Sequence, residues 1–335
     1  MAPAPEEEKS SLNPSMRTAT PGPAARSPKK LKIGLALGAG AARGWAHIGV
    51  LRELLAHGVR PDVVAGTSMG AVVGGCYAAD KLDQIELFAR SLTRRRVFTL
   101  MDLSFTGGSL IAGERLKKAL EQELNDLIIE KLNIPFAAVA TEVATGHEVW
   151  LQRGPLSLAI RASYALPGIF EPVRLADRWL FDGALVNPVP VTVCRALGAD
   201  FVIAVNVTAD MMYRAGVIRD ASAQQDRTLA GDKPFDQKSD FSFIERFLPR
   251  YFDRRGDEAP NVGSAMIDAF NIIQDRILRS RLAGDPPDAI ITARMEDIGM
   301  FDFHRADKLI DIGREAAKRT LPNILSYFPN PDHKI

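Results

Sequence analysis

Short apolar runs alternate along most of this chain with longer stretches of helical periodicity. The runs predict strands near 32–37, 61–65, 135–142, 147–152, 179–181 and 201–207. The longer stretches predict helices near 45–57, 69–79, 83–94, 113–124, 190–197, 264–282 and 304–319. Such an alternation is typical of an α/β fold.

Two segments break the alternation. Residues 1–30 carry prolines, serines and mixed charges without an apolar core, which predicts a disordered tail. The stretch at about 210–260 is charged and turn-rich apart from an aromatic run at 241–252. We therefore expect one domain at 31–325 with an insertion at about 210–260, followed by a C-terminal tail at 326–335.

The pentapeptide G-T-S-M-G at 66–70 lies between an apolar run and a stretch of small residues. This context predicts a sharp strand-to-helix turn with Ser68 at its tip, the arrangement called a nucleophile elbow. Gly66 and Gly70 allow the tight turn, and the following helix offers free N–H groups to a developing anion. Ser68 is therefore a candidate nucleophile, whereas the alternative is a purely structural turn.

A second glycine-rich turn follows the first predicted strand and carries Gly38 and Gly40. A dinucleotide fingerprint would need an acidic residue at the end of the next strand, but Asp62 stands at its beginning. The favoured interpretation is an oxyanion hole formed by backbone N–H groups near Gly40 and Ala41. Both turns would follow neighbouring parallel strands and open on the same edge of the sheet, so these N–H groups would lie near Ser68.

A serine nucleophile needs a base, and the chain has five histidines: His47, His57, His147, His304 and His333. The order serine, acid, histidine leaves only the last two, and both are expected to be exposed. The stronger candidate is Asp182, which ends an apolar strand and precedes Gly183. An aspartate before glycine is equally typical of a simple turn.

Four motifs, taken in order, resemble the bacterial patatin-like phospholipase family: G-A-G-A-A-R-G-W-A-H-I-G-V-L at 38–51, G-T-S-M-G at 66–70, A-S-Y-A-L-P-G-I-F-E-P-V at 162–173 and D-G-A at 182–184. They span about 33–207, and similarity returns near 264–320. The resemblance implies a three-layer patatin-like fold with a central, mostly parallel sheet flanked by helices. It also implies a serine–aspartate dyad, with Ser68 as nucleophile, Asp182 as base and an acyl-serine intermediate that water cleaves.

The resemblance further assigns the oxyanion hole to the loop with Gly38, Gly40 and Ala41, where Ala39 and Ala41 replace glycines common in the family. Arg43 in this loop is a candidate to hold the loop or a phosphate, or a solvated arginine. Motif support is expected from Arg43, Gly44, Gly66, Gly70 and Gly183. No metal or organic cofactor is implied, and carboxylate pairs such as Asp210 and Asp220 are expected to be loop charges.

Composition indicates which partners and which compartment to expect, but it does not indicate the reaction. A net charge of +1 gives no sign of nucleic-acid binding, and Cys76 and Cys194 are expected to be reduced core residues. Without a secretory apolar region or a run of ~20 apolar residues, a cytoplasmic protein is expected. The aromatic run is either a packed helix or an element that contacts the inner membrane face through Phe241, Phe243, Phe247 and Phe252.

Three functions are compatible with these residues. The leading hypothesis is a lipid acyl hydrolase that cleaves phospholipid, lysophospholipid or related carboxylic esters. An acyltransferase or general esterase would use the same serine, and a non-catalytic regulatory protein would retain only the fold. The sequence leaves the oligomeric state open.

Overall fold

The structure is a computed structural model that describes residues 31–100, 114–124, 127–208, 262–295 and 298–328. The N-terminal tail, the whole insertion with its aromatic run and most of the C-terminal tail lie outside the described residues.

The described chain contains strands and helices in alternation. The strands are β1 Ile33–Leu37, β2 Val63–Thr67, β3 Phe136–Glu142, β4 Glu148–Leu151, β5 Val173–Leu175, β6 Arg178–Asp182, β7 Phe201–Asn206 and β8 Ala289–Thr292. The helices are α1 Ala46–Ala56, α2 Met69–Ala78, α3 Leu82–Arg90, α4 Arg94–Leu100, α5 Glu114–Leu124, α6 Leu156–Ser163, α7 Val191–Ala196, α8 Val262–Gly284 and α9 Ala306–Leu325.

One mixed sheet forms the centre of the molecule, with strand order β5-β6-β3-β2-β1-β7-β8 and β4 paired to β3. Strands β3, β2, β1, β7 and β8 run parallel, whereas β4, β5 and β6 form antiparallel pairs at one end. Helices cover both faces. The predicted α/β class with a mostly parallel central sheet is confirmed.

The two faces of the sheet carry side chains of different size. Leu35 and Leu37 of β1 point into a large apolar core with α1, α2 and α9. The opposite face carries a row of small residues in register across four neighbouring strands, Ala137, Ala65, Ala36 and Ala204. Because these side chains are small, α7 and α8 pack close to this face.

Helices α1 and α9 cross with their backbones in close contact. A Cβ on Gly49 would lie 1.8 Å from the Ile310 carbonyl oxygen, and one on Gly313 would lie 1.9 Å from that of Ala46. The crossing therefore requires glycine on both helices. It fixes α9 against α1, the helix that follows the first glycine-rich turn.

Strand β3 aligns the ends of β2 and β6. Thr67, the last residue of β2, lies opposite Val139, and Asp182, the last residue of β6, lies opposite Ala140. β4 pairs with residues 138–141 of β3, a range that includes residues paired with β2 and residues paired with β6. Because a strand has two edges, β4 occupies one edge of β3, and β2 and β6 lie one after the other along the opposite edge. The residue that follows β2, Ser68, is thereby brought to the end of β6.

Four elements are absent from the sequence prediction, namely β5, β8, α4 and α6. None of the helices in the described part of the chain is long and apolar enough to cross a membrane. Cys76 and Cys194 are buried, unpaired cysteines, as expected, and burial raises the pKa of each thiol to about 12.

Candidate active site

Ser68 lies on a strained turn between β2 and α2. Its backbone has φ 56° and ψ −122°, a region that residues other than glycine rarely adopt. A Cβ on Gly66 would lie 2.4 Å from the Gly70 carbonyl oxygen, and one on Gly70 would lie 2.1 Å from that of Leu37. The two glycines of the motif thus permit the backbone contacts that hold the serine at the tip.

Asp182 faces this serine at the end of β6. Ser68 Oγ donates a hydrogen bond of 2.8 Å to Asp182 Oδ2, and the Ala184 N–H donates one of 2.8 Å to Oδ1. Both side chains are buried. The aspartate therefore forms the turn that its Asp-Gly sequence predicts and also contacts the serine hydroxyl.

Burial makes this carboxyl group unusually basic. It raises the pKa of Asp182 from 3.8 to about 7, against the opposing effect of the hydrogen bonds from Ala184 and Ser68. An ordinary aspartate would be a poor acceptor for a hydroxyl proton. At this site the carboxylate has the basicity of a histidine.

The glycine-rich loop lies across from the elbow, and its first two N–H groups are occupied. Gly38 N–H donates to Val205 O at 3.1 Å, and Ala39 N–H donates to Pro188 O at 2.9 Å. Gly38 therefore anchors the loop to the end of β7. The expectation that Gly38 lines an oxyanion hole is corrected, because its N–H already has an acceptor.

The next two N–H groups have a different environment. Ala42 N–H donates to Met300 O at 3.0 Å and Arg43 N–H to Gly40 O at 3.1 Å, but Gly40 and Ala41 have no backbone acceptor among the described residues. Ala41 has φ 48°, which turns the loop sharply at this point. Gly40 and Ala41 also line the same cavity as Ser68 and Asp182.

Two cavities meet at the serine. One, of about 720 Å³, has a polar lining that includes Thr208, Asn271, Gln274, Asp302 and Arg305. The other, of about 110 Å³, has an apolar lining that includes Val72, Ile85, Val97, Leu100 and Phe170. Ala41, Ser68 and Asp182 belong to both. A molecule with one polar and one apolar part could thus place the junction of the two beside Ser68.

Comparison with known proteins decides the family. The family model described as patatin-like phospholipase matches residues 35–195. An uncharacterized NTE family protein of Mycobacterium tuberculosis (strain ATCC 25618 / H37Rv) is 35% identical over 344 residues, which cover 90% of this chain and 95% of that protein. The chain belongs to the patatin-like phospholipase family. Membership supports lipid hydrolase activity in general.

Other relatives share smaller parts. Patatin-like phospholipase domain-containing protein 7 of Rattus norvegicus is 33% identical over 183 residues, 52% of this chain and 13% of the rat protein. Among solved structures, VipD from Legionella pneumophila covers 88% of this chain and 67% of its own at 14% identity, with a TM-score of 0.47, a likeness too weak to carry an argument.

In this member of the family, His47 of α1 holds the glycine-rich loop. Its ring is fully buried, and Nε2 donates to the Gly38 carbonyl oxygen at 2.7 Å. Burial lowers the pKa of His47 to about 4, against the effect of that hydrogen bond, so the ring is neutral at physiological pH. Sequence reasoning missed this role, although the A-H-I-G motif contained the residue.

Ser163 at the end of α6 holds the elbow from the other side. The Ser68 N–H donates to Ser163 Oγ at 2.9 Å, and that hydroxyl donates to Val139 O at 2.6 Å. Ser163 is completely buried. Sequence reasoning also missed the role of Ser163, although the residue lies in the A-S-Y-A-L-P motif.

Arg43 holds a loop, one of its three predicted roles. Its Nε and Nη2 atoms both donate to the Ile298 carbonyl oxygen, at 3.1 and 2.9 Å. Together with the bond from Ala42 to Met300, this contact ties the segment after β8 to the glycine-rich loop. Gly44 supports the same region, because a Cβ there would lie 2.3 Å from Met69 Cβ.

His304 differs from its expectation. It is partly buried rather than exposed and lines the polar cavity, and its Nε2 accepts a hydrogen bond of 3.1 Å from Arg94 Nε. Burial lowers the pKa of His304, with Asp302 opposing and Arg94 and Arg305 adding to the effect. His333 lies outside the described residues.

The last motif glycine, Gly183, packs where β6 meets β3, and a Cβ there would lie 2.3 Å from Val139 O. Within the described residues, no group of three or more His, Cys, Asp or Glu side chains is arranged to hold a metal ion.

Proposed function

We propose that this protein hydrolyses carboxylic esters of phospholipids or lysophospholipids through an acyl-Ser68 intermediate. The observation that carries the proposal is the hydrogen bond of 2.8 Å from Ser68 Oγ to the buried carboxylate of Asp182. Family membership supports lipid hydrolysis in general, and the catalytic domain proposed here comprises residues 31–325.

In the first half of the reaction, Ser68 Oγ attacks the ester carbonyl carbon while its proton passes to Asp182 Oδ2. The carbonyl oxygen becomes an oxyanion and accepts hydrogen bonds from the Gly40 and Ala41 N–H groups. Collapse of the tetrahedral intermediate breaks the bond to the alcohol oxygen, which takes the proton from Asp182. The alcohol leaves, and the acyl group remains on Ser68.

In the second half, water attacks the acyl-serine carbonyl and transfers a proton to Asp182. The same N–H donors hold the second oxyanion. When this intermediate collapses, Ser68 Oγ recovers the proton and a fatty acid leaves. Asp182 thus acts alternately as general base and general acid, for which a pKa of about 7 is suited.

The two cavities give each part of a lipid a place. An acyl chain in the apolar cavity would bring its carbonyl carbon to Ser68, and the polar cavity would take the alcohol part with its head group. A lipid hydrolase needs both environments beside one nucleophile. The proposed reaction therefore requires contact between the protein and lipid.

The test uses purified protein and a Ser68→Ala variant with a panel of phospholipids and lysophospholipids, read by mass spectrometry. We expect fatty acid release by the wild type and none by the variant. Ser68→Ala should fold normally, because the hydroxyl contributes little to the helices and strands. Circular dichroism checks this.

A fluorophosphonate probe and an added alcohol acceptor complete the experiment. The probe should label the wild type and not Ser68→Ala, which would exclude a non-catalytic protein. If acylated alcohol replaces free fatty acid as the main product, the protein is an acyltransferase instead. Equal turnover by the variant would refute the role of Ser68.

A further inference from the structure

Helix α4 has two faces of opposite character. On its inner side Val97 is buried, and Val97 and Leu100 line the apolar cavity that reaches Ser68. On its outer side Arg95 and Arg96 are exposed to solvent, whereas Arg94 lines the polar cavity and donates to His304. One short helix therefore forms both a wall of the cavity and a strongly basic surface.

An apolar side chain projects from the same helix. Phe98 is 56% exposed, although a phenylalanine usually buries its ring. The neighbouring helix α3 supports this surface, since Arg96 lies over the ring of Phe88 at 5.7 Å and donates to Ser91 Oγ. Arg115 of α5 adds another exposed cation, with its Nη1 bonded to the Thr99 carbonyl oxygen.

We propose that the outer surface of α4, defined by Arg95, Arg96 and Phe98, docks the protein on an anionic lipid bilayer. The arginines attract the head groups and Phe98 inserts beside them, the combination that interfacial elements use. A nucleic acid would match the charge, but it would leave Phe98 and the apolar wall without a partner. Docking at this surface would bring acyl chains next to the cavity, a purpose that rests on the proposed function.

Binding can be measured separately from hydrolysis. The full chain carrying Ser68→Ala is sedimented with vesicles of phosphatidylcholine alone or mixed with phosphatidylglycerol, and the same protein is tested with Arg95→Gln and Arg96→Gln added. We expect about 25-fold weaker binding to the anionic vesicles, because each of the two arginines near such a surface contributes about fivefold. High salt should release the parent protein.

A matched control removes two charges elsewhere. Lys308 and Arg319 are exposed on α9, and Lys308→Gln with Arg319→Gln should leave vesicle binding unchanged. In a background with Ser68 intact, Arg95→Gln with Arg96→Gln should preserve turnover of a short soluble ester while it slows turnover of bilayer lipid. Phe98→Ser should weaken binding to anionic vesicles at low salt, where the parent protein is bound.

Three outcomes would overturn the proposal. The first is unchanged binding of the Arg95→Gln, Arg96→Gln protein, and the second is an equal loss in the α9 control. The third comes from a parallel binding assay with a single-stranded RNA: the Arg95→Gln, Arg96→Gln protein loses binding to the RNA but keeps its binding to vesicles. None of them depends on whether Ser68 is catalytic, so failure of docking and failure of the proposed hydrolysis are distinguishable.

Discussion

At the scale of single residues, the site contains several features that normally destabilise a folded protein. Ser68 has a positive φ, and Asp182 is buried without a cationic partner among its described contacts. Gly40 and Ala41 line the polar cavity, and their N–H groups have no backbone acceptor in the part of the chain that the structure describes. Each is unfavourable in a resting protein, and each has a use in the proposed hydrolysis of an ester.

Replacing the proposed base gives the first prediction at this scale. Asp182→Asn should lower kcat by several orders of magnitude, because an amide cannot take the hydroxyl proton. His304→Ala should change kcat little, since the ring is bonded to Arg94 rather than to the serine. Steady-state turnover of a soluble ester measures both. An inactive His304→Ala enzyme beside an active Asp182→Asn enzyme would favour a serine–acid–histidine triad.

The raised pKa of Asp182 predicts how activity depends on pH. Only the deprotonated carboxylate accepts the serine proton, so kcat/KM should rise as pH increases through about 7 and level off above it. The measurement is a pH profile with a substrate that does not titrate in this range. A limb near pH 4 would mean that the carboxyl group is not desolvated in the free enzyme.

Ser163→Ala tests a positioning residue. The change leaves the Ser68 N–H and the Val139 carbonyl oxygen without this partner, which should cost about 1–3 kcal/mol of stability. It should also lower kcat about tenfold with little change in KM, because the elbow loses its support. Ser157→Ala removes another buried serine hydroxyl from α6 and serves as the control. Equal loss of kcat in both variants would reduce the role of Ser163 to general stability.

At the scale of elements, strand ends and loops place the groups of the proposed active site. Some of these arrangements are predictable from the sequence, and others are not. The elbow is a local strand-turn-helix pattern, so it was predictable from residues near Ser68. The roles of His47 and Ser163 depend on partners brought together by the sheet. The exclusion of Gly38 as a donor likewise depends on Val205, far along the chain.

The failure to predict certain helices and strands from the sequence also has physical reasons. β5 has three residues, too few for a periodic signal. α6 is buried around most of its circumference, which removes the polar face that would reveal a helix. In α4 three consecutive arginines hide the spacing of Val97 and Leu100.

Gly40→Val tests the glycine-rich loop as an element. A Cβ at this position would lie 2.4 Å from Val207 Cγ2, so the loop and its N–H donors must move. We expect a loss of roughly 10²-fold or more in the chemical step, the effect of removing an oxyanion donor. Single-turnover kinetics measures it, and circular dichroism checks the fold.

Gly284→Val is the matched control for that change. Nothing lies within 4 Å of a Cβ built on Gly284, at the end of α8. This variant should retain wild-type turnover. A folded Gly40→Val enzyme with unchanged turnover would place the oxyanion elsewhere.

At the scale of the whole molecule, the buried carboxyl group of Asp182 links the proposed catalysis to stability. The folded protein holds the Asp182 proton more tightly than the unfolded chain does, because the pKa rises from 3.8 to about 7. The contribution of this group to stability is therefore complete below about pH 4 and is lost as pH rises to about 7. Above pH 7 the buried charge costs roughly 4 kcal/mol.

Asp182→Asn removes that charge, and the variant should gain stability over the wild type as pH increases. We expect the difference in unfolding free energy between variant and wild type to grow by roughly 3 kcal/mol from pH 5 to pH 8. Urea unfolding at the two pH values measures it. Asp177→Asn, at a fully exposed position, should leave the pH dependence unchanged. If the difference for Asp182→Asn is the same at both pH values, the carboxylate is not destabilised by burial, and its proposed basicity loses its physical cause.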